Sequence, residues 1–557
     1  MFTCCIEQIA NNIPTSPVQK RARLQVSLPY TLPPPSYPTR PGSPITIGSR
    51  SEGSPTAEDH APLWISEELA ERRTSFAQYL ATTADISRWD VGQVISVDTL
   101  PDDVLLATFQ YVIKDGIYED DNEMAWQRLV HVCRRWRSLI LASPRHLNLR
   151  LVCQERTPAR DMLDIWPALP LVIMCFKEIG SADNIIAGLE RRDRVCQIIL
   201  GSVPSSDLEI LLAAMQQPFP ELTYLAIWLG DNYVSVVPDS FLGGSAPRLE
   251  DLYLKGIPFP GLPKLLLSAS HLVYLYLYDI PHSGYISPEV MVTALSMLTS
   301  LEELTLEFRS PRSCPDQASR RPPPSTRSVL PILGYFTFKG VSEYLEDLVA
   351  CIDAPRLNEL KITFFNDIVF DTPRFIQFIT RTPTSRALEK AHITLQNRDA
   401  NLDFSSQTSG NGKVWVKILC RGLEWQISSL EQVCTSCLPS LSMLEDLYIY
   451  EDPFSPPDWK DDIESGLWLQ LLHPFTAVKN LYLSEQFALR IGRALQELAE
   501  GRTTEVLPAL QFMFLEGLES SGPAQEGIGK FVAARQLASR PIAVSSWVNW
   551  DSDNIYY

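Results

Sequence analysis

From about residue 147 onward, apolar residues return in one short arrangement, Leu-x-x-Leu-x-Leu, often led by Pro or Ala-Pro. FPELTYLAIW, APRLEDLYLKG, ASHLVYLYLYD, LTSLEELTLEF, APRLNELKITF, LSMLEDLYIYE, FTAVKNLYLSE and LPALQFMFLEG carry it clearly. Their first apolar positions are Leu222, Leu249, Leu272, Leu301, Leu357, Leu444, Val478 and Leu510. Alternation with period two predicts one short strand in each segment. DLEILLAAM and PEVMVTALSML, lying between such segments, predict helical returns.

The first three steps are 27, 23 and 29 residues, and the degenerate LPILGYF from Leu330 divides the next interval into 29 and 27. Weak copies surround Leu169/Val172/Met174, Val195/Ile198/Leu200 and Leu388/Ala391/Ile393, and VWVKILC from Val414 fills the gap before Leu444. A period near 28 with one strand and one helical return predicts a leucine-rich-repeat solenoid of the α/β class. Its parallel strands lie on the concave face and its helices outside. Ordinary α/β strands that happen to look alike are the competing reading. The proline- and arginine-rich stretch at about 309–328 predicts a flexible insertion. Ile542 and Trp547 are expected in a terminal strand that caps the stack.

The apolar pattern before the repeats is helical. Val104, Leu105, Thr108, Phe109 and Val112 follow Leu100-Pro101, with Asp102 and Asp103 suited to a helix N-terminus. After an acidic interval, Ala125, Leu129, Val132, Cys133, Trp136 and Leu139 predict one second helix, ended by Ser143-Pro144. WISEELAERRTSFAQYLATT predicts a lead-in helix within 61–95, and the Pro- and Ser-rich residues 1–60 predict a disordered tail. The domains expected are therefore the tail at 1–60, the lead-in helix at 61–95, the helical unit at 96–146 and the repeats at 147–557.

Composition narrows the function classes. The net charge of −18 argues against binding nucleic acid or an anionic membrane and favours protein partners. The stretch from Ile257 to Pro281 is apolar but interrupted by proline and lysine, so two repeat strands are expected there rather than a membrane span. No secretory signal is legible at the N-terminus. The 11 scattered cysteines fit a reducing compartment, cytosol or nucleus. Cys434-x-x-Cys437 lacks a second ligand pair and reads as two cysteines on a repeat helix. No phosphate-cradling loop, nucleophile elbow or calcium loop is present, so neither a metal, a cofactor nor catalysis is expected.

Leu100, Pro101, Val104, Leu105, Leu106 and Phe109, followed by VHVCRRWRSLI from Val130, resemble the F-box motif, which opens on Leu-Pro and closes near Val-Cys-Arg-x-Trp-Arg. The resemblance covers about 97–146, roughly a tenth of the chain. The acidic interval is longer and more charged than the family's usual link. With the repeats behind it, the chain looks like a fungal-type F-box protein with leucine-rich repeats. The resemblance implies a substrate-recognition adaptor of an SCF-type cullin–RING ubiquitin ligase, whose F-box docks on the Skp-type subunit. It assigns docking to Leu100, Pro101, Leu105, Phe109, Leu129, Val132, Cys133 and Trp136, some of which must form the unit's own core. The partners implied are the Skp-type adaptor, the cullin scaffold and a target protein. A scaffold that delivers nothing for degradation is the alternative; an enzyme with an unrecognised pocket is a third.

A unit of about 45 residues buries too little surface alone, so its leftover apolar groups need the ligase subunit or the first repeats. In the repeats, residues between the leucines point to the concave side. Trp228, Tyr253, Tyr274, Tyr276, Tyr278, Tyr448 and Tyr482 fall there, an aromatic richness suited to capturing a protein. Strands favour aromatics in any case, so cover by neighbouring segments is the competing reading.

Overall fold

The structure, a computed structural model, describes residues 100–547 apart from 116–124, 155–158, 177–181, 230–235, 314–326, 366–371, 383–388, 406–411, 437–440, 442, 460–462, 500 and 518–522. The expected tail and lead-in helix, Cys437 and most of the 309–328 insertion lie outside the described residues.

Three helices come first: α1 (Asp102–Asp115), α2 (Ala125–Val130) and α3 (Arg134–Ala142). The single second helix expected from the sequence is in fact two. Backbone N–H groups of His131 and Val132 turn back to Arg128 and Leu129, ending α2. Cys133 is extended and its sulfur accepts from the Trp136 N–H at 3.5 Å, so it caps α3. A capping residue sits outside the helical backbone geometry, and that is why the apolar stripe runs through a break.

Seven parallel strands follow: β1 (Leu151–Cys153), β2 (Leu171–Phe176), β3 (Val195–Gly201), β4 (Tyr224–Trp228), β5 (Asp251–Lys255), β6 (Tyr274–Ile280) and β7 (Glu303–Phe308). A small pair, β8 (Ser328–Val329) and β10 (Ile352–Asp353), stands apart, while β9 (Tyr335–Gly340) and β11 (Glu359–Phe365) extend the main sheet. Next come β12 (Lys390–Leu395), β13 (Ala400–Ser405) and β14 (Lys413–Leu419), and finally β15 (Asp446–Glu451), β16 (Asn480–Leu483), β17 (Phe512–Leu515) and β18 (Ala543–Ser546). The main sheet has 16 strands. Helices α4 (Ala159–Ile165), α5 (Asp183–Leu189), α6 (Ser205–Ala214), α7 (Leu262–Leu266), α8 (Pro288–Leu295) and α9 (Ser342–Ala350) return between strands, followed by α10 (Pro373–Arg381), α11 (Leu423–Ser436), α12 (Ser465–Leu472), α13 (Glu485–Glu497) and α14 (Pro523–Leu537). Outside β12 to β14 the strands of the main sheet lie in chain order with helical returns between most of them, which makes this a leucine-rich-repeat solenoid.

The repeat signature has a local cause. The N–H groups of Leu222, Leu249, Leu357 and Leu510 donate to the carbonyls of Phe219, Ala246, Ala354 and Leu507, closing four-residue turns. The second residue of each turn is proline, whose fixed φ suits that position. The strand then begins two residues after the leading leucine. The leucines that follow, such as Leu252 and Leu254, are buried with the helices in one continuous core. Each fully buried leucine contributes about 2 kcal/mol.

Two expectations need correction. The Ile257–Pro281 stretch holds one short helix, α7, and one strand, β6, because Pro263 enters a helix at its first turn rather than extending a strand. The strands are also not all parallel. The order at the middle is β11-β14-β13-β12-β15, and β13 runs antiparallel to both neighbours. Ala391 and Val414 do lie on strands, but their spatial order is reversed and NLDFS supplies an unforeseen strand between them.

Candidate functional site

In the helical unit the motif residues hold the three helices together. Arg135 donates at 2.6 Å both to the Leu100 carbonyl and to Asp102, tying α3 to the start of α1. Arg137 donates to the Val130 carbonyl at 2.9 Å. The Trp136 ring meets Phe109 edge-on at 4.7 Å. Leu105 and Phe109 are each 1% exposed, so these two docking candidates belong to the unit's own core. Leu100, Leu129 and Trp136 are partly buried against that core, and Cys133 is occupied as a cap. Pro101 is exposed. Val132, Tyr111 and Val112 are 59%, 53% and 42% exposed, and the last two carried no docking assignment from the sequence. Val112 belongs by spacing to the apolar stripe of α1, yet it is exposed toward the end of that helix.

The unit is anchored on the first repeats. Trp126 is 2% exposed, its indole N–H donates to the Arg150 carbonyl at 3.0 Å, and its ring meets Trp166 edge-on at 5.0 Å. Part of its leftover apolar surface is therefore satisfied within the chain.

The second surface is the concave face. Strand register places Ala226, Tyr253, Tyr276, Thr305 and Thr337 side by side across β4 to β9. Tyr253 lies 5.2 Å from Tyr278, and Trp228 stands perpendicular to Tyr253 at 6.1 Å. Trp228 also lies over Gly201, where a Cβ would come within 2.2 Å of the indole. Tyr253, Tyr274 and Tyr278 are partly exposed. Tyr276 departs from the expected accessible role: it is 5% exposed and its hydroxyl donates to Glu303 at 2.6 Å. Rings on both sides crowd it, at 6.3 Å for Tyr274 and 6.2 Å for Tyr278.

Carboxylates share this surface. Burial, with Glu250 and Glu303 adding to it, pushes the Asp251 carboxyl up to about 7. Burial also raises Glu307, and raises the Tyr253 hydroxyl to about 12, with Asp279 and Glu307 contributing to the latter. Asp279 has φ 50 and lies at a shift in the β6–β7 register. Left-handed backbone is uncommon for residues other than glycine, and Asp is among those that tolerate it.

A second aromatic block lies on β12 and β15 to β17. His392, Tyr448, Tyr482 and Phe514 stack in near-parallel planes at 4.3, 4.1 and 4.5 Å. Trp547 stands edge-on to Tyr448 and Tyr482, with its indole N–H on the Leu483 carbonyl at 3.1 Å; it and Ile542 lie just outside the terminal strand β18, one at each end, rather than within it. His392 escaped notice because KAHITL is a weak repeat copy; its place midway between inward positions was the available signal.

Among the described residues no three His, Cys, Asp or Glu side chains converge as metal ligands, and no helix is long and apolar enough to cross a membrane. No protein-family model and no curated protein matches the chain. Among solved structures it is similar to the leucine-rich repeat-containing protein LegL7 from Legionella pneumophila, at 13% identity over 69% of this chain and 96% of that one, with a TM-score of 0.25. The repeat assignment rests on strand order and register, not on that likeness.

Proposed function

We propose that the chain is the substrate-recognition adaptor of an SCF-type cullin–RING E3 ubiquitin ligase, working in the cytosol or nucleus. Helices α1 to α3 dock on the Skp-type subunit and the concave face holds a target protein. The chain performs no chemistry; it brings target and ligase together, so that ubiquitin transfer becomes effectively intramolecular. The observation that carries the reading is the exposure of Val132, Tyr111 and Val112 on a unit whose larger remaining apolar side chains, such as Leu105, Phe109 and Trp126, are packed and anchored. Grouped on one face of so small a unit, such side chains would form an interaction surface.

The test is retention of purified Skp-type adaptor by the full chain. Val132→Asp replaces the most exposed of these apolar side chains by a charge and should weaken retention at least about ten-fold, with the melting curve unchanged. Undiminished retention in that variant, or none by the parent chain, would remove the docking surface. Co-purification of the cullin separates a ligase adaptor from a scaffold.

A further inference from the structure

We propose that the concave face over β5, β6 and β7 takes a basic side chain, arginine or lysine, from the captured protein, seating it against the Tyr253 and Tyr278 rings beside Asp279 and Glu307. The inference rests on the reading of that face as a capture surface and names the chemistry it selects.

Three observations support it. First, the two rings are 5.2 Å apart and tilted by 42°, with Trp228 closing one end; such a wall attracts cations through the ring quadrupole. Second, Asp251, Asp279, Glu303 and Glu307 all reach this stretch, opposed by Lys255, Lys339 and Lys361. The Lys255 and Lys339 amino groups stand 3.8 and 3.9 Å from Asp279, a loose arrangement that a partner's guanidinium can better. Burial is the main cause that raises the Asp251 and Glu307 carboxyls and the Tyr253 and Tyr278 hydroxyls, and neighbouring carboxylates add to it at Asp251, Tyr253 and Tyr278. Third, the chain's net charge of −18 draws a basic partner toward it. The second aromatic block does not offer this chemistry. Its rings stack face to face at 4.1 to 4.5 Å, so they cover the ring faces a cation would use.

The experiment uses the full chain and two fluorescein-labelled decapeptides, one alternating Arg and Gly and the other alternating Glu and Gly, read by fluorescence anisotropy. The arginine peptide should bind and the glutamate peptide should not. Glu307→Gln and Tyr278→Leu should each weaken the arginine peptide about five-fold. Glu497→Gln, which removes the same charge from an exposed position on α13, should leave binding unchanged. Failure of the arginine peptide to bind, equal binding of both peptides, or equal loss in Glu307→Gln and Glu497→Gln overturns the proposal. Melting curves of the variants show that they fold. A chain that retains the Skp-type adaptor but ignores the arginine peptide overturns this inference alone. A chain that binds the peptide but not the adaptor overturns the recruiter reading alone.

Discussion

Tyr276 shows what a single residue's position in a pattern leaves unsaid. Alternation with period two assigns it to the outward face, and register sets it beside Tyr253. Yet it is 5% exposed, because its hydroxyl reaches Glu303 and its flanking tyrosines crowd it. The partner is one strand over but 27 residues along the chain, a proximity no local pattern carries. Tyr276→Phe should therefore cost about 1–3 kcal/mol in a urea titration, since it leaves a buried carboxylate short of a donor. Tyr274→Ala, at a more accessible position, should cost less. Capture experiments on this face belong to Tyr253, Tyr274 and Tyr278, which are partly exposed. Cys133 gives the same lesson in the helical unit: its apolar spacing was legible, its role as a cap was not.

At the scale of elements, the sequence was most legible where turn chemistry and apolar spacing agree. Each clear copy of the repeat begins a strand two residues after its leading apolar residue. The reversed unit was illegible, since NLDFS alternates like any other strand and alternation carries no direction. Helix pairing was equally hidden. Helices α13 and α14 meet at Gly492 and Gly527, where a Cβ on Gly527 would lie 2.6 Å from the Gly492 carbonyl oxygen. Backbone cannot swing aside as a flexible side chain does, so Gly527→Ala must part the helices. The expected loss is about 1–3 kcal/mol by denaturant titration. Alanine is otherwise a better helix former than glycine, so a gain in stability would show that the two helices pack more loosely.

For the whole molecule, the sheet-wide core joins the helical unit to the last repeat, while the concave face collects acids at the edge of ionisation. Burial pushes Asp251 and Asp403 up to about 7 from 3.8, although Lys361 and Lys417 pull Asp403 back. Between those values the folded chain holds protons that the unfolded chain has released, so stability falls as pH rises. From pH 6 to 8 each such group should cost about 1 kcal/mol. Asp403→Asn should flatten that dependence in thermal melts at the two pH values; an unchanged slope would show that Asp403 is already ionised at pH 6.

The reversed order of β12, β13 and β14 reaches beyond the finished structure. A ribosome releases the chain from its N-terminal end, and the strands up to β11 can join one after another as they emerge. The neighbour of β11 is β14, whose Lys413 pairs with Glu359 across 54 residues of chain. Growth of the stack must halt there until the whole meander has been synthesised, leaving one sheet edge unpaired for that interval of translation.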